Sequence, residues 1–221
     1  MTSPRDLYDT LLGRGTSPAL TWYDADGRVE LSGKVLANHV AKIANYLRDV
    51  CDVEPGTCLV LDLPPHWKTV AWALAGLVAG AHVMDREHAR GGDVVVTDDP
   101  EAADADVVVA LNLDSFAFAW SGPLPSGVAD GSAEVMAQPD ALLLAPANSA
   151  DTWEDACGCE ERGLACEGSL AVAKPTSRQA IALAYGVLGR GGAVVLVGDD
   201  RDLTAVAAAE HATALDVNLV C

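Results

Sequence analysis

The sequence predicts an α/β protein, a three-layer α/β/α domain with a mainly parallel sheet, and three observations predict it. Short runs such as Asp93–Thr97 and Asp106–Leu111 carry three consecutive valines without polar alternation, as strands covered on both faces do. Segments with helical spacing alternate with them along the chain. Glycine and proline punctuate the joins, which gives the strand–helix alternation of parallel sheets. The 221 residues are half hydrophobic, enough for one large domain over 1–221 that buries roughly 70% of its unfolded surface.

Taken in order, Asp6–Leu12 reads as a short helix ended by Gly13. Ala19–Tyr23 is strand-like and Asp26-Gly27 is a turn signal. Ser32 is a candidate N-cap. Beyond it Leu36, Val40, Ile43, Leu47 and Val50 fall on one helical face. Pro55-Gly56 turns the chain into the strand Cys58–Leu63. The helix from about His66 to Ala79 follows Pro64-Pro65, ends at Gly80, and is apolar almost all round, so burial on both sides is expected.

Asp98–Asp106 has room for a helical turn, and Ser121–Gly131 reads as loop. Ala141–Ala145 (ALLLA) reads as a buried strand, and the polar stretch 148–168 as irregular and flexible. Thr176 with Gln179 has capping-box spacing for a helix running to Gly189. Gly191-Gly192 leads into the strand Ala193–Val197. A last helix over about Leu203–Leu215 and a strand over Val217–Val220 complete the reading.

Fourteen basic against 32 acidic residues give a net charge of −18. That charge disfavours nucleic acid and anionic membranes as partners. It is read as a solubility device or a salt-tolerant habit, with docking to a basic partner as the alternative. The alanine-, valine- and aspartate-rich composition points to a high-GC genome such as an actinobacterium's. No signal-peptide pattern opens the sequence, so a cytoplasmic location is expected. Six cysteines without an export signal predict free thiols. Cys157, Cys159 and Cys166 have a spacing foreign to structural zinc sites and no neighbouring histidine, so no metal is expected.

Residues 20–40 (LTWYDADGRVELSGKVLANHV), 43–60 (IANYLRDVCDVEPGTCLV) and 75–83 (AGLVAGAHV) together resemble the entry segment of the adenylate-forming enzymes, the AMP-dependent synthetases and ligases that include acyl-CoA synthetases. The resemblance is densest over 19–84 and stays collinear through DVVVT, PDALLLA and GGAVVLV. It implies the fold of that family's N-terminal subdomain. It also places a phosphate loop after ALLLA, where the family has a run of glycines, hydroxyls and a lysine. Here 145–156 reads APANSADTWEDA, without glycine or lysine and with Asp151, Glu154 and Asp155 added. Backbone approach and charge are both wrong for a triphosphate.

Asn148, Ser149 and Thr152 are the polar remnants of that loop. Asp199 lies just past a strand at the sheet edge where open α/β folds bind ligands, although the Gly198-Asp199-Asp200 run can equally cap the helix at Leu203. Gly189-Arg190-Gly191-Gly192 precedes a strand instead of following one, so it is a turn and not a dinucleotide loop. His66, at a helix start, is read as a capping or packing residue, with ligand contact as the alternative. His39 is read as a partly buried surface histidine. No Ser/His/Asp signature and no P-loop motif occurs.

The family's later catalytic motifs lie beyond the sequence. The expectation is therefore a truncated, non-catalytic relative acting as a binding or assembly module, with no bound cofactor. The alternatives are a residual nucleotide or acyl-adenylate binder, or a ligase fragment completed by a partner chain. A homodimer is also expected, because valine-rich strands in a short chain need cover.

Overall fold

The structure, a computed structural model, describes residues 3–25, 27–89, 91–147, 168–198 and 201–219. The α/β class and the parallel pairing hold, with the strands divided between two sheets. In the first sheet, β10 (Thr213–Leu215), β8 (Ser169–Ala173), β9 (Ala193–Val197) and β1 (Pro18–Tyr23) run parallel, and β2 (Arg28–Ser32) closes the edge as an antiparallel hairpin with β1. The second sheet is parallel throughout, in the order β4 (His82–Asp85), β3 (Cys58–Asp62), β5 (Val94–Thr97), β6 (Val107–Ala110), β7 (Ala129–Asp130).

Between the sheets lie α1 (Pro4–Arg14), α2 (Gly33–Asp49), α3 (Trp67–Ala79) and α5 (Ser177–Leu188), with the short α4 (Gly131–Met136) beside β6 and β7. One continuous core joins Leu20, Leu170 and Val194 of the first sheet to Leu59, Val83, Val96 and Val109 of the second. All thirteen residues of α3 are buried, as its all-round apolar sequence predicts. Gly76 lets α3 touch the second sheet: a Cβ there would sit 2.6 Å from Leu59 Cδ2 and 2.8 Å from Val83 Cγ2. The helix ends at Gly80, whose φ of 92° is the left-handed conformation glycine adopts without strain.

Ser32 caps α2 through Val35 N, and Thr176 forms a full capping box with Gln179 at α5. Two expected elements take another form. Residues 141–145 form no strand: Asn45 of α2 donates to the carbonyl of Ala141 and accepts from Leu143 N, both at 2.9 Å, holding the segment as a strap against the helix. Residues 98–106 hold no helix, only a single turn in which Ala102 N donates to Asp99 O at 3.2 Å. The expected C-terminal helix is shorter, α6 (Leu203–Ala209), because His211 takes a left-handed φ of 51° and the chain turns back into β10. Val217–Leu219 is a 3-10 turn in place of a strand. Strands β4 and β8 and helix α4 were not legible as elements. Val50, placed on the buried face of α2 by spacing, is its exposed C-cap.

Candidate functional site in the second sheet

Right-handed crossovers dictate where connections leave a parallel sheet. The β3–α3–β4 unit lies on the inner face, so the reversed steps from β4 to β5 and from β5 to β6 pass over the outer face. Gly92 of the first of these rests directly on Val60 and Val95. Connections from the adjacent strands β3 and β5 therefore depart to opposite faces. That is a topological switch point, and the crevice beyond its carboxyl ends is where open α/β sheets bind ligands.

A cleft of about 550 Å³ occupies that place. Asp62 and Leu63 at the end of β3, Asp85 at the end of β4 with Arg86–His88 after it, Asp98 after β5 and the first turn of α5 line it. Thr97 Oγ1 donates to Asp62 Oδ2 at 3.3 Å across the switch point, and Arg86 forms an ion pair with Asp62. Asp85 holds His88 Nδ1 at 2.5 Å. The α5 turn is tied down by Ser177 Oγ, which donates to the Leu63 carbonyl at 2.7 Å. Partial desolvation, and then the charges of Asp62 and Asp99, push the Asp98 carboxyl above the usual range. Arg178 is half-buried on the wall and makes no ion pair or hydrogen bond among the described residues.

A second cluster of titratable groups sits under the N-terminus of α3. His66 is 6% exposed, with its ring 5.3 Å from that of Trp22 and 5.7 Å from that of Trp67. Its Nδ1 accepts from Lys68 N at 3.2 Å, which makes His66 the N-cap. That bond leaves the proton on Nε2, 3.4 Å from Ser115 Oγ. Burial, and then the Lys68 charge, hold the imidazole down at about 4. His66 is thus neutral near pH 7, and its acceptor nitrogen is already used. It cannot serve Ser115 as a general base.

Lys68 lies within hydrogen-bonding distance of the carbonyls of Asn112 (2.8 Å), Asp114 (2.6 Å) and Ala117 (3.4 Å), although burial pulls its ammonium down to about 8. The cluster is structural, in agreement with the capping role read from the sequence. His39, half-buried with its ring 5.2 Å from Trp67, extends it.

The residues singled out from the sequence, Asn148, Ser149, Thr152 and Asp199, lie outside the described residues, as do Cys157, Cys159 and Cys166. Asp202 caps α6 through Ala205 N. Among the described residues no group of three His, Cys, Asp or Glu side chains could hold a metal, and no helix is long and apolar enough to cross a membrane. The cleft was missed because its acids look like scattered surface charge in the sequence. A signal was available: each of Asp62, Asp85 and Asp98 sits at or just past the end of an apolar run.

No family model matches the chain. A Mycobacterium tuberculosis protein, named only for the sequence family it is assigned to, is 34% identical over 161 residues, 65% of this chain and 65% of that protein. The Brucella canis acyl-CoA synthetase superposes with a TM-score of 0.69 at 17% identity, over 98% of this chain and 47% of that one. Acetoacetyl-CoA synthetase from Streptomyces lividans gives 0.66 at 14% identity, over 90% and 38%. An amide bond synthetase from Marinactinospora thermotolerans gives 0.59 at 19%, over 95% and 47%. The chain thus spans about two thirds of the length of the curated relative and less than half of each enzyme. Its fold is that of the N-terminal subdomain of the adenylate-forming enzymes, as the motifs over 19–84 imply.

Proposed function

We propose that the chain is a non-catalytic binding module on an adenylate-forming scaffold, and that its cleft at the switch point of the second sheet takes a small, hydroxylated organic anion. The observation that carries the reading is the cleft itself, at the topological switch point and walled by the half-buried guanidinium of Arg178, which has no ion pair among the described residues. Asp62, Asp85, Glu87 and Asp98 outnumber Arg86 and Arg178 among the lining charges. A triphosphate is therefore repelled. A single carboxylate or phosphate monoester can pair with Arg178 while its hydroxyls donate to Asp85 or Asp98. The altered 145–156 sequence supports the same view, since it offers neither glycine nor lysine to a nucleotide triphosphate.

Calorimetric titration with AMP, ATP, acetyl-CoA and short hydroxy acids tests this. Expected are binding of a ligand with a single carboxylate or a single phosphate monoester at sub-millimolar concentration, at least tenfold loss in Arg178→Gln, and no ATP–pyrophosphate exchange with any carboxylic acid. Robust exchange would overturn the non-catalytic reading. Binding that ignores Arg178→Gln would overturn the site.

A further inference from the structure

The chain contains two phenylalanines, and both are in solvent: Phe116 is 74% exposed and Phe118 68%. They stand two residues apart on the loop that follows β6. Lys68 fixes that loop through the carbonyls of Asn112, Asp114 and Ala117. Further ties come from Asn112 Nδ2, which donates to Ala119 O at 3.1 Å, and from Trp120 N, which donates to Asp130 Oδ2 at 2.9 Å. A buried cation thus holds two aromatic side chains outward on a preorganised backbone, which lowers the ordering cost of any contact they make.

Charge distribution selects the occupant. The chain carries −18, yet residues 115–129 (SFAFAWSGPLPSGVA) hold no charged side chain. The acids that flank the run have oxygens turned to backbone amides: Asp114 Oδ1 accepts from Phe116 N, and Asp130 Oδ1 from Ala133 N, both at 3.0 Å. A basic partner would seek the acidic surface and avoid this one. Two copies of the chain repel each other over most of their surfaces, but not where charge is absent. A two-fold axis sets the same patch against itself.

We infer that the 115–129 surface is a self-association face, with Phe116 and Phe118 of each copy packed against the same loop of a second copy. Exposed aromatic anchors on an uncharged surface are the usual core of such contacts.

Light scattering on the full chain at micromolar concentration tests it. Expected is twice the 22.9 kDa chain mass, with association tightened by salt, because salt screens the residual repulsion without weakening an apolar contact. The Phe116→Ser/Phe118→Ser double variant should return the mass to 22.9 kDa while keeping a cooperative melt, with a melting temperature that no longer depends on protein concentration, since both side chains are exposed in the single chain. A monomer at every salt and at tenfold higher concentration would overturn the inference. A dimer untouched by the double variant would place the interface elsewhere and overturn it equally. Co-sedimentation of the wild type, but not the variant, with neutral phosphatidylcholine vesicles, without dimerisation in solution, would reassign the face to lipid and also overturn it.

Discussion

The two sheets share one helical layer but are finished differently on their outer faces. The first is covered outside by α6, where Val206 and Ala207 pack on Ala171, Val195 and Val197 in a separate small core. The second has no helix on its outer face among the described residues. The connections from β4 to β5 and from β5 to β6, 86–93 and 98–106, are shorter than the dozen residues a helical crossover needs, and the longer one from β6 to β7, 111–128, holds no helix. Gly92 lies flat on Val60 and Val95, which are 4% and 8% exposed, where a side chain at 92 would collide with Val60 Cγ2 at 2.6 Å. Stability is therefore concentrated in the shared layer and the first sheet. The candidate cleft and the phenylalanine loop belong to the second, where loops and strand ends meet solvent. Binding surfaces commonly sit on loops held by a rigid scaffold.

Breaking the shared layer should have the largest effect, because both sheets depend on it. Leu74 is fully buried in the middle of α3. Leu74→Asp would put an unpaired carboxylate there at a cost of several kcal/mol, a large part of a typical domain's total stability. No soluble, cooperatively melting protein is expected. Normal yield with an unchanged melting curve would show that α3 is not the joint between the sheets.

The same joint should be acid-sensitive through His66, which caps α3 and touches Trp22 of the first sheet. Its folded value of about 4 lies below the ordinary 6.5. Above pH 6.5 the ring is neutral in folded and unfolded chains alike, and the shift has no effect. Between 6.5 and 4 the unfolded chain takes up a proton that the folded chain excludes, so stability falls as pH falls. The limit of this loss is roughly 3 kcal/mol, at about 1.4 per unit. His66→Asn keeps a capping oxygen and removes the titration. Melting temperatures followed from pH 7.5 to 4.5 should drop less steeply in the variant. Parallel curves would mean that His66 is not held neutral.

A smaller loss is expected at the contact of α3 with the second sheet. Gly76→Ala drives a methyl against Leu59 and Val83 and should cost about 1–3 kcal/mol by overpacking, although alanine is the better helix former. Denaturant unfolding measures it. A stabilised variant would show that helix and sheet can separate freely.

What was legible in the sequence follows from how local each cause is. The periodicity of α2, the all-round apolarity of α3 and the caps at Ser32 and Thr176 act over a few residues, and they are found where expected. ALLLA reads as a strand because its composition is that of one. Its fate was decided about 98 residues away by Asn45, whose amide holds the Leu143 backbone that a sheet would otherwise have paired. The cleft was illegible for the same reason. Asp62, Asp85, Asp98 and Arg178 meet only after two crossovers and a return of the chain from the first sheet. The division into two sheets needs strand order, which alternation of strands and helices leaves open.

The smallest effect tests the comparison most directly, by making one substitution on the outer face of each sheet. Val195 is 3% exposed beneath α6, and Val197, Val206 and Ala207 belong to the same cluster. Val108 faces outward from β6, half-buried, in register with Val95 of β5. Val→Thr preserves shape and β-branching, so the change isolates the burial of a hydroxyl. At Val195 that hydroxyl enters a closed apolar layer and should cost about 1–3 kcal/mol. At Val108 it can reach water, and the expected change is within about 0.5 kcal/mol. Urea unfolding of the two single variants, with equal slopes, gives both numbers from one experiment. Equal losses at the two positions would mean that the outer face of the second sheet is as closed as that of the first, by a cover other than the 86–93 and 98–106 loops.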